Sequence, residues 1–104
     1  MKKFLLSGLI ILAVNFLLFA QSGPVISIVN DTEYPIYYIY ISDANTNDWE
    51  EDILGEDVLM PGHIYNVRLP HNGLWDFLAI DVDGDEYILM GISVSDADRI
   101  VLTN

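Results

Sequence analysis

Beyond the first twenty residues, apolar and polar positions alternate with a period of two, and Gly, Pro, Asn and Asp interrupt the alternation at short intervals. That pattern predicts strands, because successive side chains of a strand point to opposite faces whereas a helix brings residues to one face every 3.6 positions. Strands are predicted over residues 24–30, 36–42, 64–69, 74–82, 86–91 and 99–102, with shorter pieces at 58–60 and 92–94. Asn30-Asp31-Thr32 ends the first strand and Tyr34-Pro35 opens the second, so these two are expected to pair as a hairpin. Pro61-Gly62 predicts a type II turn, in which glycine supplies the positive φ. Pro70-His71-Asn72-Gly73 turns the chain into the longest strand, and Asp83-Gly84 predicts a two-residue hairpin loop. The fold class expected is all-β, a small antiparallel β-sandwich of six to seven strands over residues 21–104, with a small barrel as second choice. Trp75 and Phe77 are expected in its core.

The first twenty residues follow a different rule. Lys2 and Lys3 precede an apolar run that ends in Phe19-Ala20, the layout of a signal peptide over residues 1–20 with cleavage after Ala20. Leu18 is larger than the small residue usual two positions before the last leader residue, so a cut a few residues away is the alternative. Ser7, Gly8 and Asn15 interrupt the run, which is shorter than the roughly 20 apolar residues of a spanning helix, so no mature membrane span is expected. The chain has no cysteine, which excludes both a lipid anchor on a mature N-terminal Cys and any disulfide. Export to the periplasm or the cell exterior is the expected destination.

Removal of the leader changes the charge balance. Both lysines leave with it, and Arg68 and Arg99 remain against sixteen Asp and Glu. Self-repulsion on this scale costs stability in a domain small enough to hold only one modest core. Nucleic acid and anionic membrane surfaces are excluded as partners, since both are bound through a footprint of Lys and Arg.

The acids are unevenly placed. Asp81-Val82-Asp83-Gly84-Asp85-Glu86 puts four carboxylates in six positions. With a two-residue loop at Asp83-Gly84, Asp81 would face Glu86, and directly opposed like charges destabilise a sheet by roughly 0.2–1 kcal/mol. A solvated turn is one reading; a divalent cation between the acids is the other. Calcium takes six to eight oxygen ligands in flexible geometry, so Asp81, Asp83, Asp85 and Glu86 have the right chemistry for it. The spacing is not that of an EF-hand, whose glycine comes at position 6 and whose glutamate comes at position 12. Asp48-Trp49-Glu50-Glu51-Asp52 forms a second acidic run. It predicts a single helical turn, with Asp48 and Glu51 as a capping box and Trp49, Ile53 and Leu54 plugging one end of the sandwich. If that loop folds over the hairpin instead, Asp48 and Asp52 become additional calcium ligands.

Tyr34, Tyr37, Tyr38 and Tyr40 surround and fill the second predicted strand. Alternation sends Tyr38 and Tyr40 to one face with Ile36, and Tyr37 to the other with Ile39 and Ile41, which reads as a central strand buried on both sides. Were one face exposed, the tyrosines would form a platform for a sugar ring or for the apolar surface of an envelope protein. Acidic β-sandwiches with an aromatic face and a calcium site are common among carbohydrate-binding modules, an analogy of architecture alone. No catalysis is expected. Cysteine is absent, no serine sits in G-x-S-x-G, and His63 and His71 flank a strand-length segment in turn positions rather than at metal-ligand spacing.

Taken in order, Asn30-Asp31-Thr32-Glu33-Tyr34, the Tyr-rich segment from Ile36, Trp49-Glu50-Glu51-Asp52-Ile53-Leu54-Gly55, Leu59-Met60-Pro61-Gly62, Asp76 and Asp81-Val82-Asp83-Gly84-Asp85 resemble a group of small exported bacterial β-domain proteins of unknown function. The resemblance covers nearly all of the chain after the leader and implies export and a compact β fold, without an activity. Leu78 and Ile80 stand where more polar residues are expected in such proteins. The binding face implied by the aromatic and departing positions together is Tyr37, Tyr38, Tyr40, Leu78 and Ile80.

Overall fold

A computed structural model describes residues 23–104. The expected signal peptide and its cleavage after Ala20 lie outside the described residues. These residues form six strands: β1 (Val25–Asp31), β2 (Ile36–Asp43), β3 (Ile64–Arg68), β4 (Gly73–Asp81), β5 (Glu86–Val94) and β6 (Arg99–Thr103). They make two three-stranded sheets, in the orders β3-β1-β6 and β2-β4-β5. Among the described residues there is no helix, and none therefore long and apolar enough to cross a membrane.

Alternation explains which faces meet. Ile26 and Ile28 of β1, Ile100 and Leu102 of β6, Ile39 and Ile41 of β2 and Phe77 and Ala79 of β4 all join one buried cluster, which also takes in Trp75. At about 25 cal/mol per Å² of apolar surface removed from water, this shared core is the main force holding the sheets together.

Three expectations need correction. β1 and β2 do not pair; they lie in different sheets. The side chain of Asn30 decides this by pinning the corner between them: its Nδ2 donates to the carbonyls of Tyr34 (2.8 Å) and Leu59 (2.9 Å), and its Oδ1 accepts from the Thr32 N–H (3.0 Å) and hydroxyl (2.6 Å). The sheets are not wholly antiparallel either, because β6 runs parallel to β1 from Ser27↔Arg99 to Asp31↔Thr103. Residues 58–60 and 92–94 are not separate strands: Leu59 makes only a bridge to Ile36, and 92–94 continue β5. The Pro61-Gly62 turn is formed as expected, with Gly62 at φ +83° and the His63 N–H donating to the Met60 carbonyl at 3.0 Å.

The long connection between β2 and β3 does not contain the expected helical turn. It runs back along the outer edge of β2, through bridges Tyr40↔Asp52 and Ile36↔Leu59. Asp52 Oδ1 accepts from the N–H groups of Ile39 (2.8 Å) and Leu54 (3.1 Å), so its carboxylate ties the loop to the strand. Covering an open strand edge in this way removes a template for unwanted pairing. Leu54 is buried and Ile53 packs on the core, whereas Trp49 stays exposed and plugs nothing.

Candidate functional site

The acidic turn between β4 and β5 is built differently from the expected hairpin. Gly84, at φ +86°, donates its N–H to the Asp81 carbonyl at 2.9 Å, and the Asp81 N–H donates to the Asp85 carbonyl at 3.0 Å. The loop is therefore the three residues Val82-Asp83-Gly84, a turn closed by a left-handed glycine. Ile80 pairs with Glu86 and Ala79 with Tyr87, one position away from the expected register. Asp81 and Glu86 do not face each other, and the anticipated repulsion between them does not arise.

Asp81 instead turns inward and is 2% exposed. Its Oδ1 accepts the N–H groups of Asp83 (2.9 Å) and Asp85 (3.0 Å), and its Oδ2 accepts the Tyr87 hydroxyl at 2.8 Å. Burial pushes its pKa up, but the Tyr87 hydroxyl and the N–H groups of the turn outweigh that, and the carboxyl lies below its ordinary range. Burial, followed by the same hydrogen bond and the Asp81 charge, pushes Tyr87 up to about 12.

Asp81, Asp83 and Asp85 each place one carboxylate oxygen within 4.8 Å of the other two. Glu86 is not part of that convergence, and the second acidic run does not reach it. Asp52 is held against Ile39, and Asp48 borders a small cleft with Ser42, Asp76, Trp49 and Met90. Asp76 lies five residues along β4 from Asp81, about 17 Å at the rise of a strand. The loop could not supply both ends at once.

The second sheet's outer face shows where the tyrosines go. A bulge between Ile36 and Tyr38 breaks the alternation of β2, so that Ile36 and Ile39 both point inward while Tyr37 and Tyr38 are 40% and 44% exposed. The expectation of a strand buried on both faces is thus wrong for the tyrosines. Tyr38 pairs across with Ile80, and Tyr40 with Leu78, which in turn pairs with Ile88. The rings of Tyr38 and Tyr40 stack at 6.4 Å with 13° between their planes. Ile88 and Met90 of β5, 53% and 61% exposed, extend the same apolar strip. Of the expected binding face, Tyr38, Tyr40, Leu78 and Ile80 are brought together; Tyr37 sits at the bulge and packs edge-on against Tyr38.

No protein-family model, curated protein or solved structure matches the chain. Its geometry is the guide to its chemistry.

Ile88 and Met90 were missed in the sequence because strand alternation alone does not say which face of β5 is inside. Their signal was present as alternation with Tyr87, Leu89 and Ile92, which pack on the core. A second group missed in the sequence lies at the opposite end of β2 and β4 from the acidic turn. There Asp43 Oδ2 meets His71 Nε2 at 3.2 Å, and the His71 ring lies 4.9 Å from that of Trp75, which donates its indole N–H to the His71 carbonyl at 3.2 Å. Residues 43 and 71 are too far apart in the chain for spacing to suggest that contact.

Proposed function

We propose that this chain is an exported six-stranded β-sandwich serving as a non-catalytic binding module of the cell envelope, and that the outer face of β2, β4 and β5 is its working surface. The observation that carries the reading is the strip Tyr38, Tyr40, Leu78, Ile80, Ile88 and Met90 across three neighbouring strands, in which Tyr38, Ile88 and Met90 are exposed, Tyr40 and Ile80 half-buried, and Leu78 covered by its neighbours. The outer face of the other sheet, by contrast, carries Ser27, Asn66, Arg68, Arg99 and Thr103 among its apolar residues. A solvated sheet face normally alternates to polar residues, and contiguous exposed apolar surface marks an interaction site. Four aliphatic side chains in the strip offer no hydrogen bonds, which suits an envelope protein's apolar surface better than a glycan. The stacked Tyr38 and Tyr40 are the feature that would favour a glycan instead.

A photo-reactive residue at position 90, introduced into the protein in an exporting cell, tests the face. We expect one discrete cross-linked protein, lost when Tyr38 and Tyr40 are both changed to Ser, and no such product from the same group at position 101 on the other sheet. Equal labelling at both positions, or none at 90, defeats the reading; retention on insoluble cell-wall polysaccharide that the tyrosine changes abolish would replace protein by glycan. Ile88→Ser with Met90→Ser should alter stability by about 1 kcal/mol or less, because both side chains are mainly in water.

Calcium at the turn is a second reading, favoured by the three converging carboxylates. Thermal unfolding in chelator, then in millimolar calcium or magnesium at fixed ionic strength, decides it. An ion at ~100 times its Kd adds about 2.7 kcal/mol, a rise in Tm of roughly ten degrees or more for a domain of this size. A calcium rise that magnesium does not reproduce, and that Asp83→Asn with Asp85→Asn removes, supports a site. Small equal rises with both ions mean screening of repulsion, and the double substitution would then leave stability unchanged or higher.

A further inference from the structure

Where β2 ends and β4 begins, an open cleft of about 460 Å³ enters the space between the two sheets. Its apolar lining is Ile41, Ile53, Val67, Leu69 and Trp75, all part of the core cluster or packed against it. Charged side chains border the mouth, three carboxylates (Asp43, Glu50, Glu51) against the single guanidinium of Arg68. Asp43 Oδ2 contacts His71 Nε2, and Arg68 turns its guanidinium to the Gly23 carbonyl at 3.0 Å, a neutral acceptor that leaves its charge in place, so the mouth carries three carboxylates against one cation. Among the described residues, Glu50 and Glu51 have no ion-pair partner, and both are exposed at the rim of a chain whose whole field is negative.

We infer that this cleft binds a cation carried on an apolar stem, of the kind presented by a lysine side chain or an alkylammonium ion. The stem would lie against the Ile41, Val67 and Trp75 floor, and the ammonium would stay at the mouth beside Glu50 and Glu51. Such a ligand leaves its charge partly in water, so little desolvation opposes the ion pairs. Binding sites of this kind are concave, mostly apolar and oriented by a few polar groups at the rim. A neutral chain of the same length gains only the floor, and an anionic one meets two unpaired carboxylates. The inference concerns a site separate from the outer sheet face and does not depend on the reading of that face.

The test is an NMR titration of the exported protein, following the indole N–H of Trp75, with that of Trp49 as a reference outside the cleft. Four probes at fixed ionic strength separate the contributions: n-hexylammonium, 1-hexanol, hexanoate and methylammonium. Hexylammonium is expected to shift Trp75 with a Kd about five- to tenfold below that of hexanol, the gain expected from two exposed ion pairs. Hexanoate should bind more weakly than hexanol, and methylammonium, which has charge without a stem, should leave Trp75 unmoved. Glu50→Gln with Glu51→Gln should bring hexylammonium to the affinity of hexanol while leaving hexanol unchanged, and both positions are exposed enough for the fold to tolerate it. Equal affinity for hexylammonium and hexanol, a preference for hexanoate, or no movement of Trp75 with any six-carbon probe overturns the inference.

Discussion

Asn30→Ala is expected to lower the stability of the domain by about 3 kcal/mol, a fall in Tm of roughly 12–24 °C. Asn30 is fully buried, and both ends of its amide are satisfied: Nδ2 by the Tyr34 and Leu59 carbonyls, Oδ1 by the Thr32 N–H and hydroxyl. After truncation the Thr32 hydroxyl, released from Oδ1, can turn to the Tyr34 carbonyl 3.0 Å away, and the Ile36 N–H still serves that of Leu59. The buried Thr32 N–H does not, and an orphaned buried donor alone costs about 1–3 kcal/mol. Asn30→Asp should be at least as damaging at neutral pH, because a carboxylate has no N–H for the two carbonyls and brings a charge into a site without a cation. Asn66 provides the comparison, since it lies exposed on the outer face of β3 and bonds only Ser27 Oγ. Asn66→Ala should cost about 0.5 kcal/mol or less. Urea unfolding of the variants measures all three, and a loss at Asn30 no larger than at Asn66 would show that the corner between the sheets is held by something else.

The second large effect is a dependence of stability on pH at both extremes, set by Asp81 and Tyr87. The Asp81 carboxyl is held below its ordinary value of 3.8. Its stabilisation is therefore complete above the unfolded-state value and is lost as pH falls through the lower folded-state one. Tyr87 has the opposite sign: raised from 10.0 to about 12, it contributes in full below pH 10 and loses its contribution as pH climbs through about 12. Asp81→Asn should lower the urea midpoint at pH 7, and the gap from the parent should narrow below pH 3.8, where the unfolded chain takes up the Asp81 proton before the folded one does. It should also bring the alkaline titration of Tyr87, followed by tyrosinate absorbance, part of the way back toward 10. The return is partial because burial is the first cause of the rise and the hydrogen bond from Tyr87 to Asp81 the second. A gap that stays constant down to pH 2, with Tyr87 unchanged, would mean that Asp81 is replaceable by any side chain of its shape.

Several features were legible because they depend on neighbours in the chain. Period-two alternation located all six strands, and Pro61-Gly62 located a turn whose geometry only glycine enters without strain. The knot of acids at Asp81 to Glu86 was correctly singled out as a place where charge is concentrated. Its geometry was not legible. The Asp81 side chain competes for the backbone N–H groups of Asp83 and Asp85, lengthens the loop to three residues and moves the register by one, so that Glu86 goes outward beside Ile80. A one-residue change sends every later side chain to the other face, which is why local turn preference was a poor guide here. Likewise, an alternation rule applied through Tyr37 cannot anticipate a bulge, and the bulge alone decides that two adjacent tyrosines face water.

The sequence by itself determined that this is a strand-forming, acidic chain with no cysteine chemistry and no cationic footprint for nucleic acid, since each of these follows from composition or from short-range pattern. Only the tertiary structure decided which apolar faces are covered. Two sheets have four faces, the core closes over two of them, and alternation is the same whichever is chosen. It also decided that Asn30 separates β1 from β2, that β6 returns parallel to β1, and that Glu50, Arg68 and Trp75 border one cleft. Those outcomes rest on contacts between residues distant in the chain, which local propensities do not encode.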